Sequence, residues 1–176
     1  MIALPIQTEP LSWEPSWFAV QTRYRFEKKV AEQLHSKGVE IFAPVRREVH
    51  HWSDRRKVIP VPLFSGYIFV RLQASLASHL AVLRTEGVIA FVNFQGTPTA
   101  IPGKQIEHLQ RLLAQDVPCS LHAFLKAGSR VRIRGGSLDG LEGILAQNGP
   151  KSLVISIECI ERSVAIEIEG YELELA

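Results

Sequence analysis

The sequence predicts an α+β first domain followed by a small all-β barrel. Up to about residue 116, strand-like apolar runs alternate with apolar residues at helical spacing. From residue 128 onward, only short β-prone runs remain, separated by turns that are mostly rich in glycine. The 176 residues are 46% hydrophobic, enough for one ordinary core or two small ones. We therefore expect a flexible tail at 1–15, an α/β sandwich at 16–116, a linker at 117–127 and a barrel at 128–176.

The first half of the sandwich is predicted from a strand, a helix and two further strands. A β-prone run at 17–22 precedes an amphipathic helix, which Gly38 ends, and a second strand is expected at 39–45. Residues 46–57 lack apolar periodicity, which indicates a loop or a mobile hairpin. Strands are predicted at 58–61 and 67–71, on either side of a bend. The apolar stripe of the helix is formed by Phe26, Val30 and Leu34.

The second half of the sandwich adds a helix, a strand and a final helix. Gly87 ends the first of these helices, a strand follows at 88–94, and Pro102 is expected as the first residue of the last helix. The predicted order is therefore β-α-β-β-α-β-α, with helices packed on the sheet. The apolar faces are Leu76, Leu80 and Leu83 in the second helix and Ile106, Leu109 and Leu113 in the third.

Five short strands are predicted for the barrel, at 130–134, 142–147, 152–157, 163–168 and 171–175. The segment 153–175 is rich in isoleucine and valine and alternates apolar with polar residues. Because β-branched residues favour strands over helices, we expect this segment to be stably β.

Composition excludes several classes of protein. The net charge of +2 and the apolar content are unlike those of disordered chains, and the two cysteines cannot form a disulfide framework. The first 116 residues carry 14 basic and 10 acidic side chains, and the remainder carries 6 and 8, so the two parts are expected to meet different partners. Without a signal-peptide pattern or a membrane-length apolar run, a cytoplasmic protein is expected.

No catalytic residue, metal or cofactor is expected. The six histidines show no metal-ligand spacing. The glycine-rich stretch 135–140 lacks the lysine with which a phosphate-binding loop contacts its phosphate. A nucleophile elbow is also absent. One enzymatic alternative stays open, a hydrolase using His50, His51 and Asp54.

Two motifs link the chain to a known family. The stretch 128–145, an alternating strand followed by glycine turns and a second apolar strand, resembles a KOW motif. The run Pro62-Leu63-Phe64-Ser65-Gly66-Tyr67-Ile68-Phe69-Val70 resembles the signature of the NusG N-terminal (NGN) domain, with Ser65 where proline is usual. Over residues 17–175 the chain is similar to NusG and to its specialised paralogues, which include RfaH and the UpxY-type antiterminators. The run at 52–57 looks more like the UpxY-type branch.

The resemblance implies a transcription elongation or antitermination factor with no enzymatic activity. Its NGN domain would bind the clamp helices of the largest subunit of bacterial RNA polymerase through an apolar concavity. It would then bridge the cleft and modulate pausing or termination. The expected polymerase-binding residues are Phe64, Tyr67, Phe69 and Phe91 at the concavity and Arg84 and Thr85 at the opposite jaw. The aromatic residues could alternatively be ordinary core, and Arg84-Thr85 a solvated helix end.

The resemblance also implies nucleic-acid contact and a second partner. The strand-to-helix turn would face non-template DNA, and the basic run before Pro62 combines stacking with charge. Alternatively, the cations of the turn form solvated ion pairs, and the basic run is a solvated hairpin without a ligand. The KOW barrel would recruit a ribosome or the Rho terminator, and a monomer is expected. A competing hypothesis is a KOW-containing RNA-binding or ribosome-associated protein. The expected nucleic-acid-binding residues are Arg23, Arg25, Lys28 and Lys29 at the turn and Trp52, Arg55, Arg56 and Lys57 in the basic run.

Overall fold

The computed structural model describes residues 14–51, 56–115, 117–125, 127–146 and 150–176. Trp52 and Arg55, two of the predicted nucleic-acid-binding residues, lie outside these ranges. Among the described residues, no helix is both long and apolar enough to cross a bilayer. The elements of the first domain are β1 (Ser16–Thr22), α1 (Glu27–Ser36), β2 (Glu40–Phe42), β3 (Val45–His51), β4 (Arg56–Pro62), β5 (Tyr67–Leu72), α2 (Leu76–Leu83), β6 (Val88–Phe91), β7 (Asn93–Phe94), β8 (Thr97–Pro98), β9 (Ala100–Ile101) and α3 (Gly103–Ala114).

The first domain is built around an antiparallel sheet in the order β2-β5-β1-β6, with β9 also paired to β1. Side chains alternate along β1, so that Trp17 and Ala19 face one side of the sheet and Phe18 and Val20 face the other. All four are buried, because α1 and α2 cover one face and α3 the other. The predicted α+β sandwich is confirmed.

The third helix packs against both domains. Its residues Ile106 and Leu109 share a buried cluster with the sheet, whereas Leu112 belongs to the core cluster of the barrel. The predicted stripe ended at Leu113, but Leu113 is only half-buried. This difference arises because a helix that packs on two sides buries residues beyond a single stripe. Pro102 is the residue before the helix rather than its first residue.

Within the region predicted as a loop or mobile hairpin, the described residues before 52 and after 55 form a regular two-stranded ribbon. Strands β3 and β4 pair in register from Val45 opposite Pro62 to His51 opposite Arg56. The strand predicted at 39–45 is accordingly divided, with β2 ending at Phe42 and β3 beginning at Val45. Cross-strand pairs of β-branched residues, such as Val49 opposite Val58, stabilise such a ribbon. The ribbon therefore forms without the regular alternation of apolar residues that a strand packed on a core shows.

The second domain contains β10 (Cys119–His122), β11 (Arg130–Arg134), β12 (Glu142–Ala146), β13 (Ser152–Ile157), a 3-10 turn (Glu158–Ile160), β14 (Arg162–Glu167) and β15 (Glu172–Leu175). These strands form an antiparallel sheet in the order β10-β14-β13-β12-β11-β15. Five of them match the predicted barrel strands to within one or two residues. The sixth, β10, lies in the segment predicted as a linker and pairs with β14.

Two polar contacts also join the barrel to α3. The Arg111 guanidinium donates from Nη2 to the carbonyl oxygen of Asp139 at 2.5 Å. The backbone amide of Glu158 donates to the side-chain oxygen of Gln105 at 3.4 Å. In this structure the barrel is therefore docked on the first domain, on the face of the sheet that α3 covers.

Candidate functional site

An aromatic face is formed on the side of the sheet that α3 covers. The rings of Phe42 and Phe69 are stacked with centroids 6.1 Å apart, and Phe64 meets Phe69 edge-on at 6.2 Å. Tyr67 is half-buried and packs against the same cluster, on the same face as Phe69. The structure thus brings together three of the predicted polymerase-binding residues, Phe64, Tyr67 and Phe69.

Barrel side chains complete the cluster around this aromatic face. Ile157, Ile160 and Val164 belong to the same buried cluster as Phe64 and Phe69. Both phenylalanines are fully buried as a result of this packing and of the packing of α3. A partner could touch them only after the barrel or α3 had moved.

An open groove of about 800 Å³ adjoins the aromatic face, and its lining is mostly apolar but includes Arg46, Arg47 and Gln110. One side is formed by the β2–β3 segment and the ribbon, and the other by the C-terminal end of α3 and residues 117–119. Phe42 lines this groove and also stacks on Phe69, so the groove is continuous with the buried aromatic rings. The ribbon contributes Val49 and Val58, which lie opposite each other and are 52% and 55% exposed.

Phe91 does not belong to this face. It is buried in the other core cluster, on the side of the sheet covered by α1 and α2. Its ring contacts Phe18 at 6.0 Å and His79 at 4.8 Å, both edge-on. The motif position alone therefore misplaced Phe91, because strand β6 turns its side chain away from Tyr67 and Phe69.

Arg84 and Thr85 follow α2 and have different environments. Thr85 is buried; its hydroxyl accepts a hydrogen bond from Lys37 Nζ at 2.7 Å and donates one to the Ala81 carbonyl at 3.1 Å. Thr85 therefore holds the end of α2 against α1 and presents no surface. Arg84 alone of the two is exposed.

The predicted basic turn between β1 and α1 is exposed, but its cations are not equivalent. Lys29 Nζ lies 2.9 Å from Glu86, and Lys28 Nζ lies 3.8 Å from Glu32. Arg23 and Arg25 form no ion pair within the described part of the chain. The free positive charge of the turn is thus carried by its two arginines.

Sequence analysis missed one residue of this turn, Tyr24. Its side chain is 71% exposed, and the guanidinium carbon of Arg25 lies 5.5 Å from the ring centroid. An aromatic residue between two arginines at a strand-to-helix turn is a signal that could have identified it. In the ribbon, the other predicted cations Arg56 and Lys57 are exposed at the start of β4.

Two of the four arginines of the barrel are neutralised by ion pairs, whereas Arg130 and Arg162 are exposed. Arg132 contacts Glu142 at 2.5 Å and Glu174 at 3.3 Å, and Arg134 also pairs with Glu174. The hydrogen bond from Arg132 holds the pKa of Glu142 below its usual value. Elsewhere, burial lowers the pKa of His79 and raises that of Cys159 to about 11. These last two groups lie in packed apolar surroundings, which favour their neutral forms.

Comparison with known proteins identifies the family. Residues 15–110 match the family described as transcription termination factor NusG. The transcription termination/antitermination protein NusG of Borreliella burgdorferi is 23% identical over 180 residues, covering 90% of this chain and 97% of that protein. The NusG of Lactococcus lactis is 25% identical over 179 residues, covering 93% of this chain and 95% of that protein.

A solved structure has the same fold. It is described as the domain interaction in Thermotoga maritima NusG, and it superposes with a TM-score of 0.55 at 22% identity, over 92% of this chain and 97% of that one. The match to the family covers more than half of the chain and includes all of β1 to β9. The chain therefore belongs to the NusG family of transcription factors.

Proposed function

We propose that this protein is a transcription elongation or antitermination factor that binds the clamp helices of bacterial RNA polymerase through its NGN domain. It bridges the polymerase cleft and modulates pausing or termination, and its KOW barrel recruits a second partner such as a ribosome or Rho. The observation that carries the proposal is the open apolar groove beside Phe42, continuous with the buried aromatic face.

The shape and lining of the groove suit a helical partner. An amphipathic helix binds by laying apolar side chains into a groove, and the valines of the ribbon and Leu113 of α3 supply apolar walls on opposite sides. Cys119 of β10 also lines the groove and packs against the core clusters of both domains, so one end of the groove reaches the domain contact. Phe69 packs against Phe42, which lines the groove, and Phe64 packs against Phe69.

Bridging needs a second contact at a distance from the groove. Arg84 is exposed at the end of α2, on the opposite side of the sheet from α3. A factor that touches both sides of the cleft binds the closed clamp more tightly than the open clamp. Such a factor shifts the equilibrium towards the closed, elongating state without any chemistry of its own.

The barrel gives little support to the competing RNA-binding hypothesis. RNA affinity depends on cations that are free to neutralise phosphates. Arg132 and Arg134 are paired with Glu142 and Glu174, which leaves Arg130 and Arg162 as the exposed arginines of the barrel. The part of the chain after residue 116 also carries more acidic than basic residues.

The proposal is tested by measuring the affinity of the purified protein for core RNA polymerase, for an assembled elongation complex and for RNA alone, each at two salt concentrations. Val58→Glu places a charge in the groove at an exposed position, where it leaves the core untouched. We expect it to weaken polymerase binding at least about tenfold, since a buried unpaired charge is costly. Truncating Phe64 would be a poorer test, because the loss of a buried ring costs about 3–5 kcal/mol of stability.

Leu76→Glu is the matched control. Leu76 is an exposed leucine at the start of α2, away from the groove, so this variant should bind polymerase like the wild type. Equal affinities for all three proteins would refute the groove as the polymerase site. Affinity for RNA alone, with none for polymerase, would favour the RNA-binding hypothesis instead.

A further inference from the structure

We infer that the cavity between α3 and the barrel is a binding site for a small organic anion with an aromatic body, such as an aryl carboxylate. The cavity has a volume of about 410 Å³, within the range of roughly 300–1,000 Å³ that is typical of ligand sites. It is separate from the groove beside Phe42, since no described residue lines both. The inference therefore does not depend on the proposed function.

Both domains contribute walls to the cavity. One wall is the N-terminal half of α3, and the other is formed by the barrel strands β11, β12 and β13 together with residues 124–125. Ligand sites occur preferentially where two domains meet. An occupant that contacts both walls binds the docked arrangement of the domains and not the separated domains.

The floor of the cavity is apolar. Ile144 and Val154 are buried and lie opposite each other on β12 and β13. Leu125 packs against the cluster that contains Val154, and the half-buried ring of Phe124 lies at the same cavity. Apolar side chains already ordered by strand pairing favour an apolar ligand body, and the ring of Phe124 offers an aromatic ligand an edge or face contact.

Two cations without an ion pair line the cavity, one from each domain. Lys104 of α3 and Arg130 of β11 are both exposed, and neither forms an ion pair within the described part of the chain. The third cation of the lining, Arg132, is occupied by Glu142 and Glu174. Lysine and arginine hold an acidic group of a ligand by charge-assisted hydrogen bonds.

The other polar groups of the lining leave these two cations available. Glu142 is already paired with Arg132, and Glu158 is exposed to solvent, which screens its charge. His108 lies one turn after Lys104 on α3 and is half-buried. Burial lowers the pKa of His108, so its ring is mostly neutral at pH 7 and supplies a hydrogen bond rather than a charge. The cavity thus combines an apolar floor with two available cations, which is the complement of an amphipathic anion.

An occupant of the cavity would also hold the two domains together. A ligand that binds only the docked arrangement raises the ratio of docked to separated molecules about 100-fold at a concentration of about 100 times its Kd. Because the docked barrel packs over Phe64 and Phe69, such a ligand would keep these rings covered. This consequence for polymerase binding rests on the proposed function, whereas the binding site itself does not.

The test measures binding of 8-anilinonaphthalene-1-sulfonate to the full-length protein by the rise in the fluorescence of the probe. N-phenyl-1-naphthylamine has the same rings without the sulfonate and is the neutral comparison probe. We expect one sulfonate probe per chain, bound about fivefold more tightly than the neutral probe. Lys104→Gln and Arg130→Gln should each weaken sulfonate binding about fivefold and leave binding of the neutral probe unchanged, because each removes one charge at an exposed position.

Arg162→Gln is the matched control. Arg162 is also an exposed arginine of the barrel but does not line the cavity, so the loss of its charge should leave the affinity for the sulfonate probe unchanged. Hydrogen–deuterium exchange then reports on docking. A saturating concentration of the sulfonate probe should lower exchange in α3 and in the 3-10 turn of the wild type, because these segments form the domain contact.

Four results would overturn the inference. They are a wild type that binds the sulfonate probe no more tightly than the neutral probe, a Lys104→Gln or Arg130→Gln variant that binds it like the wild type, an Arg162→Gln control that loses as much affinity as they do, and unchanged exchange in α3 with the probe bound. Polymerase binding is measured separately. A failure of the groove variant Val58→Glu to weaken polymerase binding counts against the proposed function and not against this site.

Discussion

Truncation of Ile160 should undock the barrel without unfolding it. Ile160 is 7% exposed and lies in the 3-10 turn of the barrel, yet it belongs to the cluster shared with α3 and the sheet rather than to the core cluster of the barrel. Replacing a buried isoleucine with alanine costs about 2–5 kcal/mol. We take about 2 kcal/mol for this site, because the neighbouring Cys159 is only partly buried and the site lies near the rim of the contact. That loss shifts the docking equilibrium roughly 30-fold towards the open state.

Hydrogen–deuterium exchange measured by mass spectrometry can detect this shift. In Ile160→Ala, exchange should rise in α3 and in the 3-10 turn, while the strands β11 and β15 keep their protection. Ile133→Ala is the control, because Ile133 is fully buried in the barrel's own cluster and its truncation should raise exchange throughout the barrel strands. Our assignment of Ile160 to the domain contact would be refuted if Ile160→Ala unprotected the barrel strands as Ile133→Ala does, or if it changed exchange nowhere.

Three further predictions follow from single sites. Gly143→Ala should destabilise the barrel by about 1–3 kcal/mol in denaturant titrations, because its Cβ atom would lie 2.6 Å from the backbone oxygen of Val154; an unchanged midpoint would contradict the packing of β12 on β13. Burial lowers the pKa of His79, so the unfolded chain binds a proton at a higher pH than the folded protein does. The free energy of unfolding should therefore fall as the pH drops through the ordinary value of 6.5. His79→Leu should flatten this part of the pH profile. Cys159 should react slowly with iodoacetamide at pH 8, because burial raises its pKa to about 11, and reaction at the rate of an exposed thiol would disprove that burial.

Much of the fold could be predicted because its signals are local. The barrel strands are separated by glycine turns and composed of β-branched residues, so their positions follow from neighbouring residues alone. The ribbon β3–β4 was harder to predict, because an antiparallel pair outside the main sheet has no buried face and hence no apolar alternation. The ribbon is held by cross-strand pairs such as Val49 with Val58. Such a pair joins residues on opposite strands, so neither strand's own pattern shows it.

Only part of the candidate site could be predicted, because local patterns are visible in the sequence and contacts between distant residues are not. Alternation along β5 correctly placed Tyr67 and Phe69 on one face, since a strand repeats every two residues. It could not show that Phe91, on another strand, points to the opposite side of the sheet, nor that Thr85 turns inward to bond Lys37. The exposure of Tyr24 was equally hidden, because a short turn has no periodicity to show which side chains face the solvent.

The amino-acid sequence by itself determined the fold class, most of the elements and the family resemblance that the comparisons then confirmed. These depend on turn residues, short-range periodicity and contiguous motifs. Only the tertiary structure decided that α3 is shared by both domains, that β10 joins the edge of the barrel at β14, and that the aromatic face is closed over while a groove beside it stays open. A sequence pattern shows that a face is apolar, but what covers that face is decided by residues far away along the chain.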